Sequence, residues 1–154
     1  MQRVNWARVI LGGLLAGVVI NVIEGVVNGI FLAPRWEEGM KALGRSPNLG
    51  LPANITFNVC GFLIGLFAVW LYVMFRTQFG AGPRTAAIAG IATWFACSFL
   101  ASVPPMAMHL FSRRLMAIAS AVALVEIVLG TLLGGWLYKE KQKESAAPPM
   151  AAAA

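Results

Sequence analysis

Hydrophobic residues are concentrated in four long runs, which are separated by short segments rich in charged residues, glycine and proline. The runs cover residues of about 10–32, 53–75, 85–108 and 115–138. Each run supplies the roughly 20 apolar residues that an α-helix needs to cross about 30 Å of hydrocarbon. The pattern therefore predicts an all-α membrane protein that folds as a four-transmembrane-helix bundle, in a single domain over residues 1–144.

The segment between the first two runs predicts a short interfacial helix, because Trp36, Met40 and Leu43 follow the i, i+4, i+7 spacing of one helical face. Residues 79–83 contain two glycines and a proline, and they predict a turn that makes the second and third spans an antiparallel hairpin. A loop segment with an amphipathic helix and a tight hairpin turn complete the expected layout of the bundle.

Proline and composition bias mark two further boundaries. The Pro104-Pro105 pair either kinks the third span or ends it, because proline cannot donate a helix hydrogen bond and displaces earlier carbonyl groups. Of the two, an end of the helix is favoured. After Glu144 the chain contains only serine, alanine, proline and methionine, which predicts disorder over residues 145–154.

The composition indicates that lipid is the main solvent of this chain. Hydrophobic residues make up 59% of the sequence, charged residues make up 12%, and the mean hydropathy is +0.76. A soluble domain carries about a quarter charged residues. The net charge of +6 does not indicate nucleic-acid binding, because the basic residues flank the apolar runs. The lipid bilayer is the predicted partner, and neither nucleic acid nor a cofactor is expected.

Basic residues also predict the orientation in the membrane. Cytoplasmic loops carry an excess of lysine and arginine, and seven basic residues lie on the side of the two termini against five on the other side. Both termini are therefore expected in the cytoplasm, with the Arg113-Arg114 pair as the main objection. The first group is Arg3, Arg8, Arg76, Arg84, Lys139, Lys141 and Lys143, and the second is Arg35, Lys41, Arg45, Arg113 and Arg114.

Small and polar residues form one helical stripe in the first span. Gly13, Gly17, Asn21, Glu24 and Asn28 are spaced by four, four, three and four residues, which matches the period of an α-helix. Small residues let a second helix approach closely, and polar side chains within a membrane face protein or water. The stripe predicts a helix interface that contains an acid.

The fourth span repeats this arrangement. Ala119, Ala123, Glu126, Gly130 and Gly134 are spaced by four, three, four and four residues, so that one carboxyl group again lies among small residues. A second helix interface with a second acid is predicted.

Polar residues from all four spans are expected at a similar depth. At a rise of 1.5 Å per residue, Glu24, Glu126 and Ser98 lie about 21, 18 and 20 Å from the cytoplasmic ends of their spans. Asn58 and Asn28 lie somewhat farther, at roughly 25 and 27 Å. The spans contain no lysine or arginine, so each acid must be protonated, share a proton or hold a cation.

Two interpretations of this polar layer stay open. In the functional one, Glu24 and Glu126 are exchangeable carboxyl groups of a proton or cation site. Their oriented partners would be the other polar residues of the layer, Asn21, Asn28, Asn58 and Ser98. In the structural one, two neutral carboxylic acids hydrogen-bond across helices and fix the register of the helices.

Metal binding and catalysis are not predicted. Met106, Met108 and His109, together with Cys60 or Cys97, would suggest a copper(I) site. Both cysteines fall deep within their spans, however, whereas the methionine-histidine run falls at the membrane edge, so no metal site is expected. The sequence contains no HExxH, GxSxG or Walker motif, and we expect no enzyme activity.

Asn5-Trp6 opens a glycine-rich first span, and the sequence FLAPRWEEGMKALG follows that span at residues 31–44. These features resemble uncharacterised bacterial four-span membrane proteins that begin Asn-Trp and place a WxxxMxxLG segment after the first helix. Trp36, Met40, Leu43 and Gly44 match that segment, whereas residues 32–34 match the preceding tyrosine-glycine-proline only in part. The resemblance implies four spans in the bacterial inner membrane and implies no activity.

A shorter segment, Glu126-Ile127 followed by Gly130-Thr131, is similar to the glutamate motif of small multidrug-resistance transporters. In that family the glutamate lies in the first span of a shorter chain, whereas here it lies in the fourth span. This resemblance implies proton-coupled transport.

Together these features favour a non-enzymatic membrane component that packs against other helices, as a homo-oligomer or within a larger membrane complex. The packing residues would be the glycines of the two stripes, Gly13, Gly17, Gly130 and Gly134. The alternative is a small proton- or cation-coupled transporter that uses Glu24 and Glu126.

Overall fold

Four membrane-length helical spans form the protein, as described by a computed structural model over residues 4–138. The spans are Trp6–Phe31, Gly50–Phe79, Pro83–Ala107 and Arg113–Leu137, each long and apolar enough to cross a membrane. The predicted all-α four-helix bundle is thus confirmed. The predicted disorder of residues 145–154 lies outside the described residues, as do four of the basic residues counted for orientation, Arg3, Lys139, Lys141 and Lys143.

Two of the spans change their helical type along the chain. The first consists of α1 (Trp6–Val26) and a π-helical segment, Val27–Phe31. The third consists of α4 (Pro83–Trp94), a second π-helical segment, Phe95–Phe99, and α5 (Leu100–Ala107). The second and fourth spans are the uninterrupted helices α3 (Gly50–Phe79) and α6 (Arg113–Leu137), and the interfacial helix is α2 (Ala33–Ala42).

Local sequence signals explain where several helices begin and end. Oδ1 of Asn5 accepts a hydrogen bond from the backbone N–H of Arg8 (3.4 Å) at the start of α1, and Oγ of Ser112 caps α6 in the same manner. Pro83 occupies the first turn of α4, where its missing N–H is not needed. Gly80, with φ of 79°, ends α3 in a conformation that favours glycine.

The favoured helix end at Pro104 and Pro105 is wrong, because both prolines lie inside α5. Proline fixes φ near the helical value, so a helix can continue through it at the loss of a backbone hydrogen bond. In a membrane bundle, side-chain hydroxyl groups and local changes of helical type compensate for such losses. Here Oγ of Ser102 donates to the carbonyl of Phe99 (2.7 Å), within the turn that precedes the prolines.

Contacts among α1, α3, α4 and α6 join the four spans into one bundle, and the two ends of this bundle differ. α1 packs against α3 and α6, and α4 packs against α6 and α3. At the end that holds residues 4 and 138, which we call the termini face, six buried residues form a continuous core: Val9, Tyr72, Val73, Ala86, Ala89 and Tyr138. The opposite end carries α2, and we call it the α2 face.

Glycines of α1 bring its backbone against α3. A Cβ atom at Gly13 would lie 2.7 Å from Cα of Leu66, and one at Gly17 would lie 2.8 Å from Cα of Phe62. Gly65 of α3 meets the backbone of α1 in return, since a Cβ there would lie 2.6 Å from the carbonyl oxygen of Gly13. No side chain larger than hydrogen fits between these two backbones.

A second glycine contact joins α1 to α6. A Cβ atom at Gly130 would lie 3.0 Å from the carbonyl oxygen of Ala16, and one at Gly134 would overlap the carbonyl oxygen of Gly12. The four glycines predicted to pack helices therefore lie at helix contacts within one chain.

The outer surface of the bundle consists of large apolar side chains. Phe31, Leu51 and Trp136 are exposed over 72%, 70% and 78% of their surfaces. Such side chains would aggregate the protein in water, whereas lipid chains cover them without cost. Four apolar spans with an apolar exterior make this chain a multi-pass membrane protein.

Candidate functional site

A polar cavity of about 300 Å³ lies within the half of the bundle that is nearer the α2 face. All four spans and α2 contribute to its walls. Five of the six predicted polar-layer residues line this cavity: Asn21, Glu24, Asn28, Ser98 and Glu126. The cavity therefore gathers these polar groups of the membrane interior into one place.

Asn58 is the predicted residue whose side chain the structure does not bring to the cavity. Its Nδ2 donates to the carbonyl of Asn54 in its own helix (2.8 Å), and its side chain is exposed. It contributes a backbone group instead, because its carbonyl oxygen accepts a hydrogen bond from Nδ2 of Asn21 (3.1 Å).

A chain of hydrogen bonds connects Glu24 to the interfacial helix. Nε1 of Trp36 donates to Oδ1 of Asn28 (3.0 Å), and Nδ2 of Asn28 donates to Oε2 of Glu24 (2.9 Å). The asparagine amide orients the Glu24 carboxyl group, and the indole orients the amide.

Glu126 has a different environment from Glu24. It is only 4% exposed, and among the residues that the structure describes, its Oε2 has no hydrogen-bond partner. The Glu24 carboxyl group is close enough to act on it electrostatically and to form a side-chain hydrogen bond with it, which leaves Oε2 without a partner. A buried polar oxygen without a partner is rare and costly in a folded protein, so this oxygen requires a proton, a cation or a water molecule.

Positive charge is lacking around the two acids. None of the described residues that line the cavity is a lysine, arginine or histidine. Over residues 4–138, the one ion pair joins Lys41 to Glu37 (3.9 Å), and both side chains are exposed. Ionising two neighbouring carboxyl groups in a medium of low dielectric is strongly unfavourable. At least one of the two must therefore be neutralised by a bound proton or cation.

Both π-helical segments contribute to the cavity walls. Asn28 lies in the first segment and Ser98 in the second. Such single wide turns are rare, and they occur frequently at functional sites, where they change the direction of side chains. Nε1 of Trp94 donates to the carbonyl of Ser120 (2.9 Å) and holds the third span against α6 beside this turn.

The sequence did not identify several residues of the site. The sequence pattern places Trp36 on the interfacial helix, and nothing in the spacing of Trp36 indicates that its indole N–H reaches Asn28. Gly61 makes room for Asn21, since a Cβ atom at Gly61 would overlap Oδ1 of that asparagine. The spacing of Gly61 and Gly65 by four residues is a signal that would have found it. Oγ of Ser120 also lines the cavity and has no partner among the described residues.

The residues weighed for a copper site do not come together. His109 lies on the α2 face in the connection between α5 and α6, Cys97 is exposed, and Cys60 lines the polar cavity. Across the described part of the chain, no three His, Cys, Asp or Glu side chains form a group that could hold a metal ion.

We expect Trp36→Phe to loosen α2 without unfolding the bundle. The substitution removes the Nε1–H donor but keeps an aromatic ring against Phe111, whose ring centroid lies 5.1 Å from that of Trp36. A typical hydrogen bond contributes about 0.5–1.5 kcal/mol, so amide hydrogen exchange in α2 should accelerate roughly twofold to tenfold. Trp136→Phe, at an exposed position, is the matched control, and equal exchange rates in both variants would contradict the hydrogen bond.

Comparisons of the chain with models of known protein families, with curated proteins and with solved structures found no significant match in any of the three.

Proposed function

We propose that this protein is a small membrane transporter whose polar cavity binds and releases a proton or a cation between Glu24 and Glu126. The observation that carries the proposal is the Oε2 atom of Glu126, which is buried and has no partner among the described residues. A carboxyl group that only fixed helix register would be expected to have both of its oxygens satisfied by the neighbouring helix.

The two acids have different roles in this proposal. Glu24 accepts a hydrogen bond from Asn28, and such a bond stabilises a carboxylate. Oε2 of Glu126 has no partner among the described residues, so a negative charge on this group must be neutralised by a bound proton or cation. Amide and hydroxyl oxygens from Asn21 and Ser98 supply the further ligands that a dehydrated monovalent cation needs. Glu126 is the exchanging group, and Glu24 is the oriented partner.

The position of the cavity suggests the side from which the ion arrives. The half of the bundle at the termini face is filled by the buried core around Tyr72 and Tyr138. The cavity, in contrast, reaches Trp36 of α2. Exchange with the solution at the α2 face is therefore the shorter path.

A hydrophobic carbodiimide tests the proposal without knowledge of a substrate, because it reacts with protonated carboxyl groups in apolar surroundings. The protein is reconstituted in liposomes of uniform orientation, the pH is changed on one side at a time, and peptide mass spectrometry locates the adduct. We expect labelling of Glu126 that decreases when the solution at the α2 face becomes alkaline, and that stays constant when the other side does. Labelling that does not change with the pH on either side would indicate that Glu24 and Glu126 form a fixed structural pair, and it would overturn the proposal.

Addition of sodium or potassium ions distinguishes the two ligands. If a cation occupies the cavity, it displaces the proton and protects Glu126 at constant pH. If only protons bind, the salts leave the labelling unchanged.

A complex-forming component is the second candidate, and the third span favours it. The described residues of the segment Phe95–Phe99 and of α5 include no buried residue. Phe95, Leu100 and Val103 of this half-span are exposed large apolar side chains, which a partner helix would cover. The mass of the protein in a mild detergent tests this candidate, since a mass that corresponds to a single chain would contradict a stable complex.

The proposal includes residence in the bacterial inner membrane with both termini in the cytoplasm, as the excess of basic residues in the sequence suggests. We expect Ser46→Cys, on the α2 face, to react in intact cells with a maleimide that cannot cross membranes. Ala81→Cys, in the turn on the other side, should react only after permeabilisation. Both variants are made in a chain without Cys60 and Cys97, and the reverse pattern would invert the proposed orientation.

A further inference from the structure

A second cavity, of about 570 Å³, lies on the α2 face between α2, the connection from α5 to α6, and the first turn of α6. We call it the basic cavity, because four of its lining residues are basic and one is acidic: Arg35, His109, Arg113, Arg114 and Glu38. The two cavities share no lining residue, and their linings come together at adjacent positions, Arg35 and Trp36 in α2 and Leu115 and Met116 in α6.

The guanidinium groups around this cavity are not neutralised by the chain. Lys41 and Glu37 form the one ion pair found over residues 4–138, so Arg35, Arg113 and Arg114 make no ion pair with a described carboxylate. Glu38 lines the same cavity without pairing with any of them. Three guanidinium groups facing one carboxylate leave an excess of positive charge at the membrane edge.

The backbone increases this positive potential. Arg113 and Arg114 occupy the first turn of α6, where the helix dipole is positive and where basic side chains are unfavourable. His109 in the preceding connection has a φ of 53°, a backbone conformation that residues other than glycine rarely adopt. An anion bound at this helix N-terminus would relieve the unfavourable placement of the two arginines.

Part of the wall of the basic cavity is apolar. Leu110, Phe111 and Leu115 line it, and Phe111 contacts Trp36 edge to face. A charged rim above an apolar wall matches the headgroup region of a bilayer, where a phosphate lies next to the start of the acyl chains. From this geometry we propose that the basic cavity binds a phosphate group, carried by an anionic phospholipid or by a soluble anion, through Arg35, Arg113 and Arg114.

This proposal does not depend on proton or cation exchange in the polar cavity, because its residues and its ligand are different. Its test uses the full chain purified in a neutral detergent and follows the midpoint of thermal unfolding. The probes are phosphatidylglycerol against phosphatidylcholine, and inorganic phosphate against chloride at equal ionic strength.

We expect a saturable rise of the midpoint with phosphatidylglycerol or with inorganic phosphate, and the probe that acts identifies the source of the phosphate. The double variant Arg113→Ala and Arg114→Ala should weaken the response at least about tenfold, because each lost charge-assisted hydrogen bond contributes substantially to the affinity. Arg45→Ala, an exposed arginine on the same face outside the cavity, should respond as the wild type does.

Arg35→Gln provides a second variant on a short surface helix if the double variant does not fold, and it should also weaken the response. No rise with either probe would overturn the proposal. A rise that is the same in the wild type, in Arg35→Gln and in the double variant would overturn it as well, since the anion would then bind elsewhere.

Discussion

The variant Glu126→Gln is expected to weaken proton- or cation-dependent flux through the polar cavity by roughly tenfold to a hundredfold, because an interaction with a charged group contributes about 1.5–3 kcal/mol. Glutamine has nearly the shape of glutamate, so packing around residue 126 should persist. It cannot take up a proton at neutral pH, and it offers a cation no negative charge. Flux in liposomes measures the loss, and the carbodiimide adduct at residue 126 should be absent because glutamine has no carboxyl group.

Two matched variants test whether the loss of flux is specific to the carboxyl group of Glu126. Glu24→Gln keeps an oxygen that can accept from Asn28, so we expect a smaller effect that shifts the labelling of Glu126 without abolishing it. Glu37→Gln removes an exposed carboxyl group whose ion pair with Lys41 is solvent-exposed, and such pairs contribute about 0–1 kcal/mol. It should behave as the wild type does.

Retention of full exchange by Glu126→Gln, with the protein folded, would remove Glu126 from the site. Loss of the fold in this variant alone would favour the structural interpretation, in which the carboxyl group fixes helix register. Circular dichroism and the size of the purified protein, measured beside the labelling, separate these two outcomes from a loss of exchange.

Helical periodicity predicts that the two acids lie at a similar depth, each on a helix interface. Glu24 and Glu126 each lie on a stripe of small residues, and the lengths of their antiparallel spans fix the depth of each carboxyl group. The structure has both at one cavity, with Asn21, Asn28 and Ser98. Depth and helical face follow from spacing alone, because an α-helix has a fixed rise and rotation per residue.

The orientation of individual side chains did not follow from spacing. Asn58 lies near the predicted depth, yet its side-chain amide donates a hydrogen bond within α3. A backbone carbonyl four residues earlier in the helix is always within reach of that amide. Trp36 lies outside the spans and became part of the site only through the fold-back of α2. The two π-helical segments depend on packing between helices, and no local pattern in residues 27–31 or 95–99 indicated them.

The glycine stripes also show what the spacing of residues in the sequence does not predict. Small residues indicate that a helix approaches closely, but they do not indicate which helix. Gly13 and Gly17 face α3, and Gly130 and Gly134 face α1 of the same chain. These glycines are therefore occupied within the bundle, and a partner would have to use a different surface, such as the exposed half of the third span.

The distribution of close packing explains how one bundle contains both a rigid half and a hollow half. Near the termini face, glycine contacts and the core around Tyr72 pack closely, and the buried hydroxyl groups of Thr85 and Thr131 donate to backbone carbonyls. Toward the α2 face, the buried residues of α1 end at Ile20, and the two π-helical segments include no buried residue. The cavity lies where close packing ends, so a change in the glycine contacts should affect the cavity as well as the stability.

Gly65→Ala tests this coupling and is expected to destabilise the bundle by about 1–3 kcal/mol, the usual cost of overpacking a close-packed interior. A Cβ atom at this position would lie 2.6 Å from the carbonyl oxygen of Gly13 and would overlap the backbone nitrogen of Gly17. Backbone atoms cannot rotate away as a side chain can, so α1 and α3 must separate. Thermal unfolding in detergent, compared with the wild type, measures the destabilisation.

Gly25→Ala is the matched control in α1, because a Cβ atom at Gly25 has nothing within 4 Å. Alanine is the better helix former by about 0.5–1 kcal/mol, so this variant should be as stable as the wild type or more stable. Separation of α1 from α3 in Gly65→Ala should also disrupt the hydrogen bond of 3.1 Å from Asn21 to the carbonyl of Asn58 and alter the labelling of Glu126. Equal stability of the two alanine variants would show that the helices tolerate a larger separation than their backbone contacts indicate. Reduced stability with unchanged labelling would mean that the cavity keeps its shape independently of the glycine contacts.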